Sequence, residues 1–129
     1  MIYLDSSALV KLITEEQESR ALQQWLNENR SEQMVTNMVG IVETKRVAAR
    51  IDSEALSAAV LVLARVDRLE VLGATYALAA DLPPVSLRTL DALHVASAVQ
   101  ARDVTAFLTY DVRMAEAAAL VDLPVFSPR

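Results

Sequence analysis

The chain has 129 residues, 53% of them hydrophobic, and carries 17 acidic against 12 basic side chains for a net charge of −5. This length and apolar content fit one compact domain over residues 1–129 and exclude a disordered chain, and the absence of cysteine excludes disulfides and thiolate metal sites. Asp5 interrupts the apolar start, and uncharged stretches such as residues 55–64 and 71–80 fall far short of the ~18 residues of a membrane span, so a soluble, cytoplasmic protein with no membrane contact is expected.

Residues 2–4 (Ile-Tyr-Leu) read as the first strand, ended by Asp5. Residues 16–29 follow as a helix with Ala21, Leu22, Trp25 and Leu26 on one stripe, where Trp25 reads as a core or dimer contact. Residues 34–36 form a second strand. Residues 39–50 form a helix that sets Val39, Val42, Val47 and Ala49 among charged residues. Gly40 stands early in that helix, where glycine costs roughly 0.5–1 kcal/mol against alanine, a loss that close packing near this point would offset. Residues 53–66 make the next helix, opened by Ser53-Glu54 and carrying Leu56, Ala59, Val60 and Leu63 at helical spacing. Residues 69–72 read as a third strand, which Glu70 marks as an edge. An alanine-rich helix over 89–102, a strand over 106–110, a second alanine-rich helix over 112–121 and a strand over 124–126 complete the chain. Short apolar runs without alternation suit strands covered on both faces. Strands that alternate with helices imply an α/β fold: a three-layer α/β/α domain with a mostly parallel sheet of four or five strands.

Four acids stand out by position. In open α/β sheets ligands bind beyond the carboxyl ends of the strands. Asp5 directly follows the first strand, and Asp111 directly follows Phe107-Leu108-Thr109-Tyr110. Asp91 falls in the first turn of the 89–102 helix, and Glu43 about one turn into the helix after the second strand. Four separate segments thus bring acids to one edge. Each alone has an ordinary explanation: a turn or helix cap for Asp5 and Asp111, a partner of the helix dipole for Asp91, a solvated pair with Arg46 for Glu43. Together they would raise one another's pKa and cost stability unless a cation neutralised them. Oxygen-only ligands suit Mg²⁺ or Mn²⁺ rather than Zn²⁺, and such an ion serves phosphodiester hydrolysis by activating water. The net charge is read in this light. Taken alone, −5 argues against nucleic-acid binding, but without the four acids 13 acidic residues face 12 basic ones.

At these residues the sequence resembles the PIN-domain ribonucleases, specifically the VapC-type toxins of toxin–antitoxin pairs. The resemblance rests on the opening run Met1-Ile2-Tyr3-Leu4-Asp5-Ser6-Ser7-Ala8-Leu9-Val10-Lys11-Leu12 and on Val42-Glu43. It continues through Leu87-Arg88-Thr89-Leu90-Asp91-Ala92-Leu93-His94-Val95-Ala96-Ser97-Ala98 and Leu108-Thr109-Tyr110-Asp111-Val112-Arg113-Met114. It implies a single PIN-like nuclease domain in which Asp5 and Asp91 are the principal Mg²⁺ ligands. Asp111 completes the set, and Glu43 holds a second ion or orients the attacking water. Ser6 and Thr109 match the family's small hydroxyl residues, with roles in support or substrate contact. It further implies endonucleolytic cleavage of structured RNA such as tRNA or rRNA, control by a VapB-type antitoxin, and a homodimer.

His94 lies three residues after Asp91, and a structural, hydrogen-bonded role is expected for it rather than metal ligation. Arg88 and Arg113 flank Asp91 and Asp111 and are candidates for RNA phosphates; Lys45, Arg46 and Arg50 extend along the helix after Glu43 and read as a solvated face. Two alternatives remain open. A phosphatase-like α/β protein also uses an acid after its first strand, but it wants a second Asp where Ser7 stands. A catalytically silent binding module of the same fold would not need all four acids.

Overall fold

The computed structural model describes residues 1–129. Its elements are β1 (Ile2–Leu4), α1 (Ser6–Ile13), α2 (Ser19–Glu28), β2 (Met34–Asn37), α3 (Met38–Ile51), α4 (Ser53–Leu63), β3 (Asp67–Leu69), α5 (Gly73–Asp81), α6 (Thr89–Ala101), β4 (Ala106–Leu108), α7 (Val112–Leu120) and β5 (Val125–Phe126). The five strands form one wholly parallel sheet in the order β3-β2-β1-β4-β5.

Side-chain alternation along the strands divides the core into two layers. Ile2, Leu4, Ala106 and Leu108 point to one face, where Ala8 and Leu9 of α1 and Leu22 of α2 cover them. Tyr3, Val35 and Phe107 point to the other, under Val95 and Ala98 of α6 and Met114, Ala117 and Ala118 of α7. Both faces are therefore dry, and the strands read as unbroken apolar runs for that reason. The expected three layers and parallel sheet are present. A smaller contact of Ala48 with Ala55 and Ala59 joins α3 to α4. Trp25 packs against the first core and tilts over Phe126 at 5.4 Å.

Four elements differ from the sequence expectation. The third strand is Asp67–Leu69, paired Val35↔Asp67 to Asn37↔Leu69, and not residues 69–72. It does lie at an edge, where Asp67 and Arg68 remain exposed, so apolarity was the wrong guide to its register. Helix α1 was not anticipated: Asp5 caps it, with its carboxylate accepting from Ala8 N. Helix α5 was not anticipated either; Thr75 Oγ1 accepts from Leu72 N at its start, standing in for a usual cap. Helix α4 is capped by Asp52, which accepts from Ala55 N at 2.7 Å, one residue before the expected Ser53.

The chain runs outward from β1 to β2 and β3, then returns to place β4 on β1's other side. The connections leaving β1 and β4 thus diverge, and the crevice between the ends of these two strands is the topological switch point at which parallel sheets bind ligands.

Candidate active site

Asp5 follows β1 at that crevice and is 1% exposed. Its Oδ1 accepts from Ala8 N at 3.0 Å and from Ser7 Oγ at 2.6 Å, and its Oδ2 accepts from Thr109 Oγ1. Burial pushes this carboxyl above the usual carboxylate range; the Ser7 and Thr109 hydroxyls act in the opposite sense. Thr109, just past β4, is itself buried and also accepts from Asp111 N at 3.1 Å. Asp111 is exposed and caps α7 through Met114 N at 3.0 Å. The capping reading of Asp5 and Asp111 is therefore correct and does not compete with a site role, since the caps themselves are what bring both carboxylates to this edge.

Asp91 sits in the first turn of α6, half-buried. Its carboxyl is held above the usual range, first by burial, then by the negative charges of Asp111, Glu43 and Asp5, with His94 opposing. All three other acids thus lie within electrostatic reach of Asp91. Glu43, on α3, does not pair with Arg46; its Oε1 lies 2.8 Å from His94 Nε2. The four carboxylates share one edge, yet no three His, Asp or Glu side chains are placed closely enough to hold a single metal ion. Asp5, Glu43 and Asp111 each hold hydrogen bonds to protein partners. The donor set is entirely oxygen, and three of its members disfavour the charge of the fourth, Asp91, which is the chemistry that fits a hard divalent cation.

Of the hydroxyl residues expected near the site, Thr109 supports Asp5 from a buried position, while the second hydroxyl on Asp5 belongs to Ser7 and not to Ser6. Ser7 also accepts from Tyr110 N at 2.9 Å, tying α1 to the end of β4. Helix phase is the signal for it: with Asp5 as cap, the residue two positions on folds back over the carboxylate. Asn37 was also missed. It caps α3 through Gly40 N at 3.0 Å and donates to Ser97 Oγ at 2.9 Å, locking α3 to α6. Arg88 and Arg113 stand exposed at the starts of α6 and α7, beside Asp91 and Asp111. Two hollows, of about 440 and 480 Å³, lie elsewhere: one beneath α2 and α4, the other between α5 and the start of α6.

Residues 2–120 match the family described as PIN domain. The chain belongs to the PIN-domain family, within its VapC-type ribonucleases. It is 44% identical over 131 residues to Ribonuclease VapC35 of Mycobacterium tuberculosis, covering 99% of this chain and 97% of the relative. It is 38% identical over 134 residues to Ribonuclease VapC47 of the same organism, covering 99% and 97%. Among solved structures, VapBC2 from Rickettsia felis, bound to a DNA fragment from its promoter, matches with a TM-score of 0.79 at 13% identity over 100% of both chains. M. tuberculosis VapC20, a Sarcin-Ricin loop cleaving toxin, matches at 0.71 and 16% identity over 91% of this chain and 95% of that one. At these identities the likeness to the two solved structures is one of fold.

Proposed function

We propose that this protein is the toxin of a type II toxin–antitoxin pair: an endoribonuclease that hydrolyses phosphodiester bonds of a structured RNA, tRNA or rRNA, with Mg²⁺ or Mn²⁺. The observation that carries the reading is Asp91, whose carboxyl is disfavoured first by burial and then by the charges of the three other acids at the switch point. Such an arrangement costs stability and earns its place only if a cation relieves it. Asp5 and Asp91 would hold the ion, with Asp111 and Glu43 completing the set. When bound, it lowers the pKa of water and stabilises charge on the leaving oxygen.

The chain's own groups have separable tasks. Ser7 and Thr109 fix both oxygens of Asp5, so this carboxylate enters the site in one orientation. Thr109 also holds Asp111 N, which couples the two acids across β1 and β4. Arg88 and Arg113 receive the phosphates on either side of the scissile bond. An open edge, rather than an enclosed cavity, suits a macromolecular substrate.

The 44% identity to a VapC ribonuclease over nearly the whole chain supports the reading of activity, and the likeness to a VapBC assembly supports a VapB-type antitoxin as partner. So do Met38 and Val42, one turn apart on α3, and Leu56 and Val60, one turn apart on α4, all exposed and apolar and suited to a covering segment. A homodimer is part of the same reading; Leu72, Tyr76 and Val85 are exposed apolar side chains near α5. No helix is long and apolar enough to cross a membrane.

The test is incubation of the purified chain with total RNA and mapping of new ends, with Mg²⁺, with Mn²⁺ and with EDTA. Discrete cuts that need the metal and vanish in Asp91→Asn are expected. Full activity in EDTA would overturn the metal reading, and intact RNA under every condition would overturn the nuclease reading.

A further inference from the structure

Tyr3, His94 and Glu43 form one hydrogen-bonded row that runs from the sheet to the carboxylate edge. The Tyr3 hydroxyl lies 2.8 Å from His94 Nδ1, and His94 Nε2 lies 2.8 Å from Glu43 Oε1. Tyr3 and His94 are wholly buried, while the Glu43 side chain is 28% exposed. Packing leaves the imidazole no freedom. Tyr3 stacks on Phe107 with centroids 5.2 Å apart and meets the His94 ring edge-on at 5.9 Å. Gly40 closes the other side: a Cβ there would collide with Thr36 Oγ1 and press on His94 Cε1 at 3.2 Å. The missing side chain is therefore what lets α3 approach the ring and bring Glu43, three residues on, over Nε2.

The bond to Glu43 also fixes one hydrogen of the ring. An ionised carboxylate only accepts, so Nε2 carries a proton. The phenol of Tyr3 is held protonated by burial, far above its ordinary range, and its oxygen lies in hydrogen-bond contact with Nδ1. Both ring nitrogens are thus engaged, and neither is free to ligate a metal or to act as a base.

We infer that His94 is a positioning residue for Glu43: its Nε2–H, fixed by Tyr3 on Nδ1 and admitted by Gly40, holds the Glu43 carboxylate in its working orientation at the site. This deepens the reading of Glu43 as a site acid and rests on it. A glutamate with three side-chain torsions and a partly exposed head would otherwise sample several rotamers. Partners that orient a ligand in this way change metal affinity or activity by about 10–100-fold when removed.

His94 is the chain's only histidine, so nitrogen NMR of the metal-free protein reads one imidazole. The expected spectrum has hydrogen on Nε2, with Nε2 shifting in Glu43→Gln and Nδ1 in Tyr3→Phe. A ring protonated on Nδ1 alone overturns the inference without any activity measurement. Two substitutions then separate position from packing. His94→Gln carries an amide nitrogen near the place of Nε2, whereas His94→Asn carries one near Nδ1 and leaves Glu43 unheld. His94→Asn is expected to lower Mn²⁺ affinity and kcat by about 10–100-fold with RNA KM little changed. His94→Gln should retain most of both. In a Glu43→Gln background, His94→Asn should add no further loss. Equal damage in the two histidine variants, or full additivity with Glu43→Gln, overturns the positioning role. Wild-type cleavage and Mn²⁺ affinity in Glu43→Gln would instead overturn the reading of Glu43 as a site acid, an outcome distinct from losses in Glu43→Gln with none in His94→Asn.

Discussion

Thr109 donates its hydroxyl hydrogen to Asp5, 104 residues away in sequence, and this one bond ties the end of β4 to the end of β1. The same oxygen accepts from Asp111 N. Two acids that each cap a different helix are thereby fixed relative to one another by a buried side chain. Thr109→Val keeps the shape and removes the hydroxyl, leaving Asp5 Oδ2 and Asp111 N each without this partner. A stability loss of about 1–3 kcal/mol is expected, the usual cost of a buried polar group left unpaired. Cleavage should fall more than folding does, because Asp5 loses its fixed orientation. Thermal unfolding and single-turnover cleavage of the same preparation check this; normal cleavage in a destabilised variant would confine Thr109 to a folding role.

Asp91→Asn is expected to abolish cleavage and to raise the melting temperature of the metal-free protein near neutral pH. The sign follows from the raised carboxyl. A folded-state pKa above the unfolded value means that folding favours the protonated form. The penalty is therefore present when both states are ionised and disappears as pH falls through the raised value and below the unfolded range near 4. The advantage of the variant over wild type should shrink over that interval. A variant less stable than wild type at pH 7 without metal would show that Asp91 contributes more through the α6 dipole than it loses to its neighbours.

Divalent cations should reverse that order. Mn²⁺ in excess is expected to raise the melting temperature of the wild type and to leave Asp91→Asn nearly unchanged, since a ligand that binds only the folded state stabilises by RT ln(1 + [L]/Kd), about 2.7 kcal/mol at a hundredfold excess over Kd. Asp5→Asn is a less clean probe. Ala8 N, Ser7 and Thr109 all donate to Asp5, and an asparagine offers one acceptor oxygen for these three donors. Relief of the buried charge and loss of a hydrogen bond then oppose each other, so its stability should change little. Equal Mn²⁺ stabilisation of wild type and Asp91→Asn would place the ion elsewhere.

The acids were legible because each sits at a point the chain announces: two directly after apolar strand runs, one in a helix's first turn, one a turn beyond a strand. What holds them was not. Tyr3 lies in a strand buried on both faces, where apolar content cannot say which face a residue takes. His94 meets Tyr3 and Glu43 across separations of 91 and 51 residues, which no local pattern encodes. Helix α1 escaped because it is only eight residues long and opens with two serines, weak helix formers. The third strand was placed two residues late because an edge strand tolerates Asp67 and Arg68.

Gly40→Ala sets two magnitudes against each other. Alanine gains roughly 0.5–1 kcal/mol in a helix interior. Its Cβ, however, would meet Thr36 Oγ1 and His94 Cε1, and overpacking of a closed site costs typically 1–3 kcal/mol. Thr36 cannot yield cheaply, because it is buried and branched at Cβ, so turning it presents a methyl group in place of the hydroxyl. A net loss of about 1–2 kcal/mol is expected, read by denaturant unfolding. An unchanged or increased stability would mean that α3 shifts away from the ring, and the nitrogen resonances of His94 would report that shift directly.

Arg88 and Arg113 differ in kind from the acids, since both are exposed and neither is held by an ion pair. A phosphate contact by either should add to the salt dependence of RNA binding. Each contact contributes about 0.7 to the slope of log K against log salt for a single strand. Arg88→Ala and Arg113→Ala are therefore expected to weaken binding by an inactive Asp91→Asn protein and to flatten that slope by about that amount each. Lys45→Ala, on the exposed face of α3, provides the comparison. If it flattens the slope as much as the two arginines do, RNA approaches along α3 and not across the ends of α6 and α7. Charge-preserving Arg113→Lys sharpens the distinction: it should keep the slope but lose affinity if the guanidinium grips phosphate through two hydrogen bonds, which an ammonium group cannot reproduce.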